Sequence, residues 1–236
     1  MKDKQTFETE LATYKHPRSI LAEAFRTLRT NLGFAAVNHP FRSVLITSAV
    51  ANEGKTTTAT NLGIVLAQAG HRVLLIDCDL RLPGIHRVFG LGNQQGLTNV
   101  LVQQLDPASA AQPGPVPGLS ILPSGPIPPN PADLLGSQQM RSLWQGLYEK
   151  FDYVIADSPP VLSVTDAALL SSQVDGVLLV IRTARTRIEN LQEATAQLKR
   201  ASARILGVIL NKMPQPRYGR GYYYSTYRYT SDELRL

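Results

Sequence analysis

Five short aliphatic runs constrain this chain more than any other feature. Residues 43–48 (SVLITS), 72–77 (RVLLID), 153–157 (YVIAD), 176–181 (GVLLVI) and 205–210 (ILGVIL) are nearly continuous in branched apolar side chains. A strand with one wet face alternates apolar with polar residues; a parallel strand covered on both faces does not. Segments of helical character separate the runs. Residues 55–69 follow the first, a start at Asn130 and Pro131 opens a helix reaching about Lys150, and 188–201 precede the last. This alternation predicts an α/β fold: a doubly wound, mostly parallel sheet with helices on both faces.

The remaining segments frame that domain. Leu21, Phe25, Leu28 and Leu32 recur at helical spacing, with Glu23, Arg26 and Arg29 on other faces of the same helix. Residues 1–18 read as a loosely held N-terminal arm, 19–213 as one domain, and 214–236 as a flexible, tyrosine-rich tail. Residues 105–131, rich in Pro and Gly, predict surface loops around one short strand, Leu119–Leu122. At 236 residues there is room for one sizeable domain and not for two comfortable ones. No long apolar run predicts a bilayer-spanning helix, and the polar residues 1–10 carry no secretory signal. The single cysteine, Cys78, lies in an apolar run and reads as a small core residue. A net charge of +6 suits anionic partners, but the charges are scattered and decide nothing alone.

The chemistry begins directly after the first run. Residues 49–56 (AVANEGKT) match a P-loop with Ala49 in place of its first glycine, between a predicted strand and a predicted helix. Phosphate binding needs backbone N–H groups converging on one point. Ala51, Asn52, Glu53, Gly54, Lys55, Thr56 and Thr57 would supply that cradle at the positive end of the helix. Lys55 would reach the β- and γ-phosphates, and the Thr56 hydroxyl would ligate Mg²⁺. Two further constellations sit at strand ends: Asp77-Cys-Asp79-Leu-Arg81 and Asp157-Ser-Pro-Pro160. Ligands of open α/β sheets bind outside the carboxyl ends of strands, so these carboxylates would flank the P-loop and serve a metal.

In this order the motifs resemble the bacterial tyrosine kinases (BY-kinases) of capsule and exopolysaccharide synthesis. Residues 49–56 correspond to the family's Walker A motif, 77–81 to its DxDxR Walker A′ motif and 157–160 to its Walker B motif. Glu23, Arg26 and Arg29 match its E-x-x-R-x-x-R signature. The resemblance implies an ATP- and Mg²⁺-dependent protein-tyrosine kinase on a P-loop NTPase fold. Lys55, Asp77 and Asp79 would be catalytic: Asp77 helps to hold the metal and accepts the tyrosine's proton, and Asp79 supports that site. Thr56, Asp77 and Asp157 would serve the metal, and Asn211 would stand at the base-binding position unless it merely ends a strand. No HRD or DFG segment of the eukaryotic kinases occurs.

The resemblance gives the tail a meaning. Six of the nine tyrosines, Tyr218, Tyr222, Tyr223, Tyr224, Tyr227 and Tyr229, crowd together among glycines and arginines. The family phosphorylates such a cluster between subunits, and an extended chain from Met213 to Tyr224 would reach about 35–40 Å. The trio on the first helix would lie at the interface of a ring that the family suggests is octameric. Further implied partners are a membrane activator with a cytoplasmic tail and a cognate tyrosine phosphatase; no nucleic acid is expected. The site of action would be the cytoplasm, at the inner face of the membrane. Two other functions compete: a MinD/ParA-type ATPase switch, whose signature lysine is replaced here by Val50, and a nucleotide-dependent scaffold for polysaccharide export.

Overall fold

The computed structural model describes residues 11–37 and 40–213. The tail with its six tyrosines, and the first ten residues of the predicted arm, lie outside the described residues.

Seven strands form one sheet: β1 (Ser43–Ser48), β2 (Val73–Asp77), β3 (Gln112–Pro113), β4 (Leu119–Leu122), β5 (Tyr153–Asp157), β6 (Gly176–Arg182) and β7 (Ile205–Asn211). Their spatial order is β3-β4-β2-β5-β1-β6-β7, and every neighbouring pair is parallel except β3–β4. Each predicted run became a strand within a residue of its expected ends. The lack of alternation has a visible cause. Leu45 belongs to one buried cluster, with Trp144, Leu147 and Leu198, while its neighbours Val44 and Ile46 belong to the other, with Phe25, Leu62 and Val65. Truncating such a fully buried side chain, as in Leu45→Ala, costs about 2–5 kcal/mol.

The helices are α1 (Ala12–Lys15), α2 (Ile20–Ala36), α3 (Lys55–Gln68), α4 (Ile85–Phe89), α5 (Leu97–Gln103), α6 (Pro107–Ala110), α7 (Pro131–Leu135), α8 (Gln138–Lys150), α9 (Asp166–Ser171) and α10 (Ile188–Arg200). Three segments differ from expectation. The end of the arm is not loose: Leu11, Ala12 and Thr13 are buried, and Thr13 donates from both its N–H and its Oγ1 to Asn61 Oδ1 of α3 at 2.9 and 2.8 Å. A buried amide on α3 needs partners, and the arm supplies them. The helix predicted from Asn130 to Lys150 is two helices. Gly136 ends the first, and extended Ser137 caps the second by accepting from Met140 N–H. The Pro/Gly-rich stretch is not all surface loop either: α6 and β3 form within it, and Ser124 is buried.

The strand order builds the site. The chain leaves β1 through α3, skips one position to lay down β2, and fills the gap later with β5. The carboxyl ends of β1, β5 and β2 therefore stand side by side, carrying the P-loop, Asp157 and Asp77 respectively.

Candidate nucleotide and metal site

The loop between β1 and α3 is pinned from outside. Ser48 Oγ donates to the Val50 carbonyl at 2.7 Å, and Val50 N–H donates to Glu53 Oε2 at 3.0 Å. Glu53 is nearly fully buried; Thr186 Oγ1 donates to its Oε1, and Asn211 Nδ2 donates to its backbone carbonyl at 2.8 Å. Gly54 is required twice over. Its φ is +99°, and a Cβ there would lie 2.0 Å from Asn211 Nδ2. Ala51 and Asn52 are exposed, while Lys55, Thr56 and Thr57 are half-buried. The first N–H groups of α3 have no intrahelical acceptor, which together with the helix's positive end makes an anion cradle. The structure thus brings Asn211 to the P-loop, where its amide is spent on the loop's backbone and on Lys212 N–H.

Beside the loop lies the acidic pocket. Asp77 and Asp157 are opposite each other in the β2–β5 register, so their carboxylates leave the same face of the sheet. Both are buried. Thr56 Oγ1 donates to Asp157 Oδ2 at 2.6 Å, whereas Asp157 Oδ1 is buried with no hydrogen-bond donor. Asp77 Oδ2 accepts from Gly84 and Ile85 N–H at 2.9 Å each, and its Oδ1 accepts more weakly from Asp79 N–H at 3.2 Å. Burial, then the charge of Asp157, pushes the Asp77 carboxyl up to about 8. Burial also raises Asp157, against the opposing pull of Lys55 and the Thr56 hydroxyl. A buried carboxylate oxygen with no donor is costly by itself. Next to a hydroxyl and a second carboxylate, it offers the hard oxygen donors that a divalent cation such as Mg²⁺ takes.

Asp79 is less buried and accepts from Leu82 N–H at 2.9 Å. The arginine of the same motif closes the loop onto α9: Arg81 Nε and Nη2 each lie 2.9 Å from an oxygen of fully buried Asp166. Neither that ion pair nor the Glu53–Thr186 bond leaves a local mark in the sequence, since the partners are 85 and 133 residues apart. The N-terminal trio is engaged within the chain. Arg26 pairs with Glu23 at 2.8 Å and donates to the Pro17 carbonyl at 2.6 Å. Arg29 is half-buried and donates to the Val65 carbonyl at 2.9 Å, one of the last four carbonyls of α3, which lack helical donors.

Comparisons with known proteins agree with this geometry. The model of the CobQ/CobB/MinD/ParA nucleotide binding domain matches residues 44–228. The tyrosine-protein kinase YwqD of Bacillus subtilis is 44% identical over 210 residues, covering 89% of each chain. Among solved structures, the chimerical protein CapA2B2 superposes with a TM-score of 0.84 at 35% identity, covering 88% of this chain and 91% of that one. The kinase domain of the Escherichia coli tyrosine kinase ETK gives 0.82 at 33% identity, covering 90% and 84% respectively. The chain belongs to the bacterial tyrosine-protein kinases within the CobQ/CobB/MinD/ParA nucleotide-binding family.

Proposed function

We propose that this protein transfers the γ-phosphoryl group of ATP to tyrosines, chiefly to Tyr218, Tyr222, Tyr223, Tyr224, Tyr227 and Tyr229 in the tail of a neighbouring copy. The observation that carries this reading is the donorless Oδ1 of Asp157, beside Thr56 and the P-loop. The P-loop backbone and Lys55 hold the β- and γ-phosphates. Thr56 and Asp157, with Asp77 adjacent, would hold Mg²⁺, and the ion would supply neutralisation of charge on those phosphates. Asp77, in its ionised form, takes the proton of the attacking tyrosine hydroxyl on its weakly bonded Oδ1, and Asp79 supports that carboxylate. The tyrosine oxygen bonds to the γ-phosphorus, the bond to the bridging oxygen breaks, and ADP leaves. Most of the acceleration comes from positioning and charge neutralisation, which a P-loop scaffold can supply.

The acceptor comes from a second copy in a ring, with Glu23, Arg26 and Arg29 at the seam. Four phosphates at about −1.5 to −2 each would carry the tail's side-chain balance from +2 to about −4 to −6 and loosen that ring. A membrane protein's cytoplasmic tail activates the enzyme at the inner face of the membrane, a tyrosine phosphatase resets it, and capsule or exopolysaccharide export is the process it regulates. Val50, packed against the core where the MinD/ParA switches carry their signature lysine, disfavours that alternative. Incubation of the full chain with Mg²⁺ and labelled ATP, alone and with the activator's tail, tests the proposal. Label is expected on tyrosine, lost in Lys55→Met and after Phe replacement of the cluster. ATP hydrolysis with no tyrosine labelled in either condition would reject it.

A further inference from the structure

The turn from β6 to α10 carries charge that the chemistry above does not use. Arg182, Arg185 and Arg187 stand on it, and Lys212 follows the adjacent end of β7. Arg185, Arg187 and Lys212 are exposed, and among the described residues none of the four cations forms an ion pair. The turn is held in one shape. Arg185 and Thr186 N–H both donate to the Arg182 carbonyl, Ala184 sits at φ +59°, and Thr183 N–H donates to the Asn211 carbonyl. Thr186 also bonds Glu53 of the P-loop, so the turn is fastened to the outer side of that loop. Behind them begins α10, 13 residues long, whose N-cap Arg187 gives no side-chain cap, so the helix adds its positive end to the arginines. The local acids are few: Glu53, buried against Thr186, and Glu189 in the first turn of α10.

The tail starts at this spot, because Asn211 pairs with Arg182 across β6–β7 and Met213 is the last described residue. Tyr218 lies five residues beyond Met213, a reach of about 17 Å when extended. Unmodified, residues 214–236 carry four arginines against Asp232 and Glu233, and the turn repels them. Each phosphotyrosine brings about −1.5 to −2 charges and three strong acceptors, which arginines bind with paired, charge-assisted hydrogen bonds. We propose that the β6–α10 arginine turn is a phosphotyrosine dock that captures the chain's own tail once the tail is modified. The free tail is steered away toward a neighbour's acidic pocket, and the modified tail is drawn back beside its own P-loop. This gives phosphorylation a second effect besides loosening contacts between copies: it retires the tail as substrate.

The dock rests on the tail being the phosphoacceptor, and a synthetic peptide separates the two questions. A fluorescent peptide of residues 214–236 with phosphotyrosine at 218, 222 and 223, and its unmodified twin, would be titrated by anisotropy. The protein is the full chain with its six tail tyrosines changed to Phe, so the dock is open. The phosphopeptide is expected to bind at least tenfold more tightly than its twin. The pair Arg185→Ala and Arg187→Ala should reduce that binding at least tenfold, with melting temperature and ATP binding unchanged. Saturating Mg²⁺–ATP should leave it in place. Equal binding of the two peptides, undiminished binding by the double variant, or complete displacement by ATP would each overturn the dock. Because the peptide is made chemically, none of these outcomes depends on whether the chain phosphorylates itself, which the labelled-ATP assay decides alone.

Discussion

Strand β5 has an aspartate at each end, and the two could hardly be treated more differently. Asp152, just ahead of the strand, accepts from Arg72 N–H at 2.8 Å and pairs with the Arg72 guanidinium at 2.7 Å. Those bonds pull its carboxyl down to about 2. Asp157, the last residue of the strand, is buried, keeps one oxygen without a donor, and is held above the ordinary carboxylate range. The same contrast runs along the sheet. Asp175, at the amino end, accepts from Arg42 and Ser43 N–H, and fully buried Asp166 has a bidentate arginine. Among the described residues, Asp152, Asp166 and Asp175 have their donors, whereas Asp157, beside the P-loop, keeps a buried oxygen without one. An unmet acceptor of this kind is tolerated where a ligand completes it.

The contrast can be broken by moving the same chemical change along the strand. Asp157→Asn should lower phosphoryl transfer by about 100-fold or more, the scale of losing a group that stabilises transition-state charge. It should also stabilise the ligand-free chain at pH 8, with a gain in Tm of about 2–4 °C for each kcal/mol relieved. Differential scanning fluorimetry alongside the kinase assay reads both effects. Arg81→Met would leave buried Asp166 without its cation and should destabilise by about 1–3 kcal/mol, the lower part being expected because Arg81 is 39% exposed. Denaturant titration measures it.

The pH dependence sharpens the contrast. Asp77 and Asp157 have folded-state pKa values above the unfolded ones, so the folded chain retains protons that the unfolded chain has released. Their contribution is fully present below about pH 4 and is lost as pH rises toward about 8. Asp152 runs the other way, contributing above about pH 4 and losing that contribution as pH falls through about 2. Melting curves of the ligand-free chain should therefore fall between pH 5 and 8, and saturating Mg²⁺–ATP should flatten that fall. Asp152→Asn should have the smallest effect: unchanged activity and a slight loss of Tm at neutral pH, because both partners of its ion pair are exposed to solvent.

Much of this was legible in the chain itself, for local reasons. Strands covered on both faces announce themselves by unbroken aliphatic runs, and the P-loop needs glycine and lysine at fixed offsets between a strand and a helix. The three acidic positions were readable because each lies at or just beyond a strand end. What could not be read was how distant residues complete these parts. The P-loop depends on Thr186 and Asn211, the Arg81 loop on Asp166, and Arg29 on a carbonyl of α3. Those partners meet only through the strand order. Asp77 shows the same limit: its position was foreseeable, whereas its hold on Gly84 and Ile85 N–H was not. The break between α7 and α8 did carry a signal, Gly136 followed by the N-cap Ser137, inside what otherwise reads as one helix.

The most direct measurement maps phosphate along the full chain by mass spectrometry after incubation with Mg²⁺–ATP and the activator's tail. Wild type, Asp152→Asn and Asp157→Asn would be run side by side. The account predicts phosphotyrosine within residues 218–229 at equal levels in the first two proteins and almost none in the third. Labelling of Asp157→Asn at the wild-type rate, or ATP consumption with no phosphotyrosine in any of them, would contradict it.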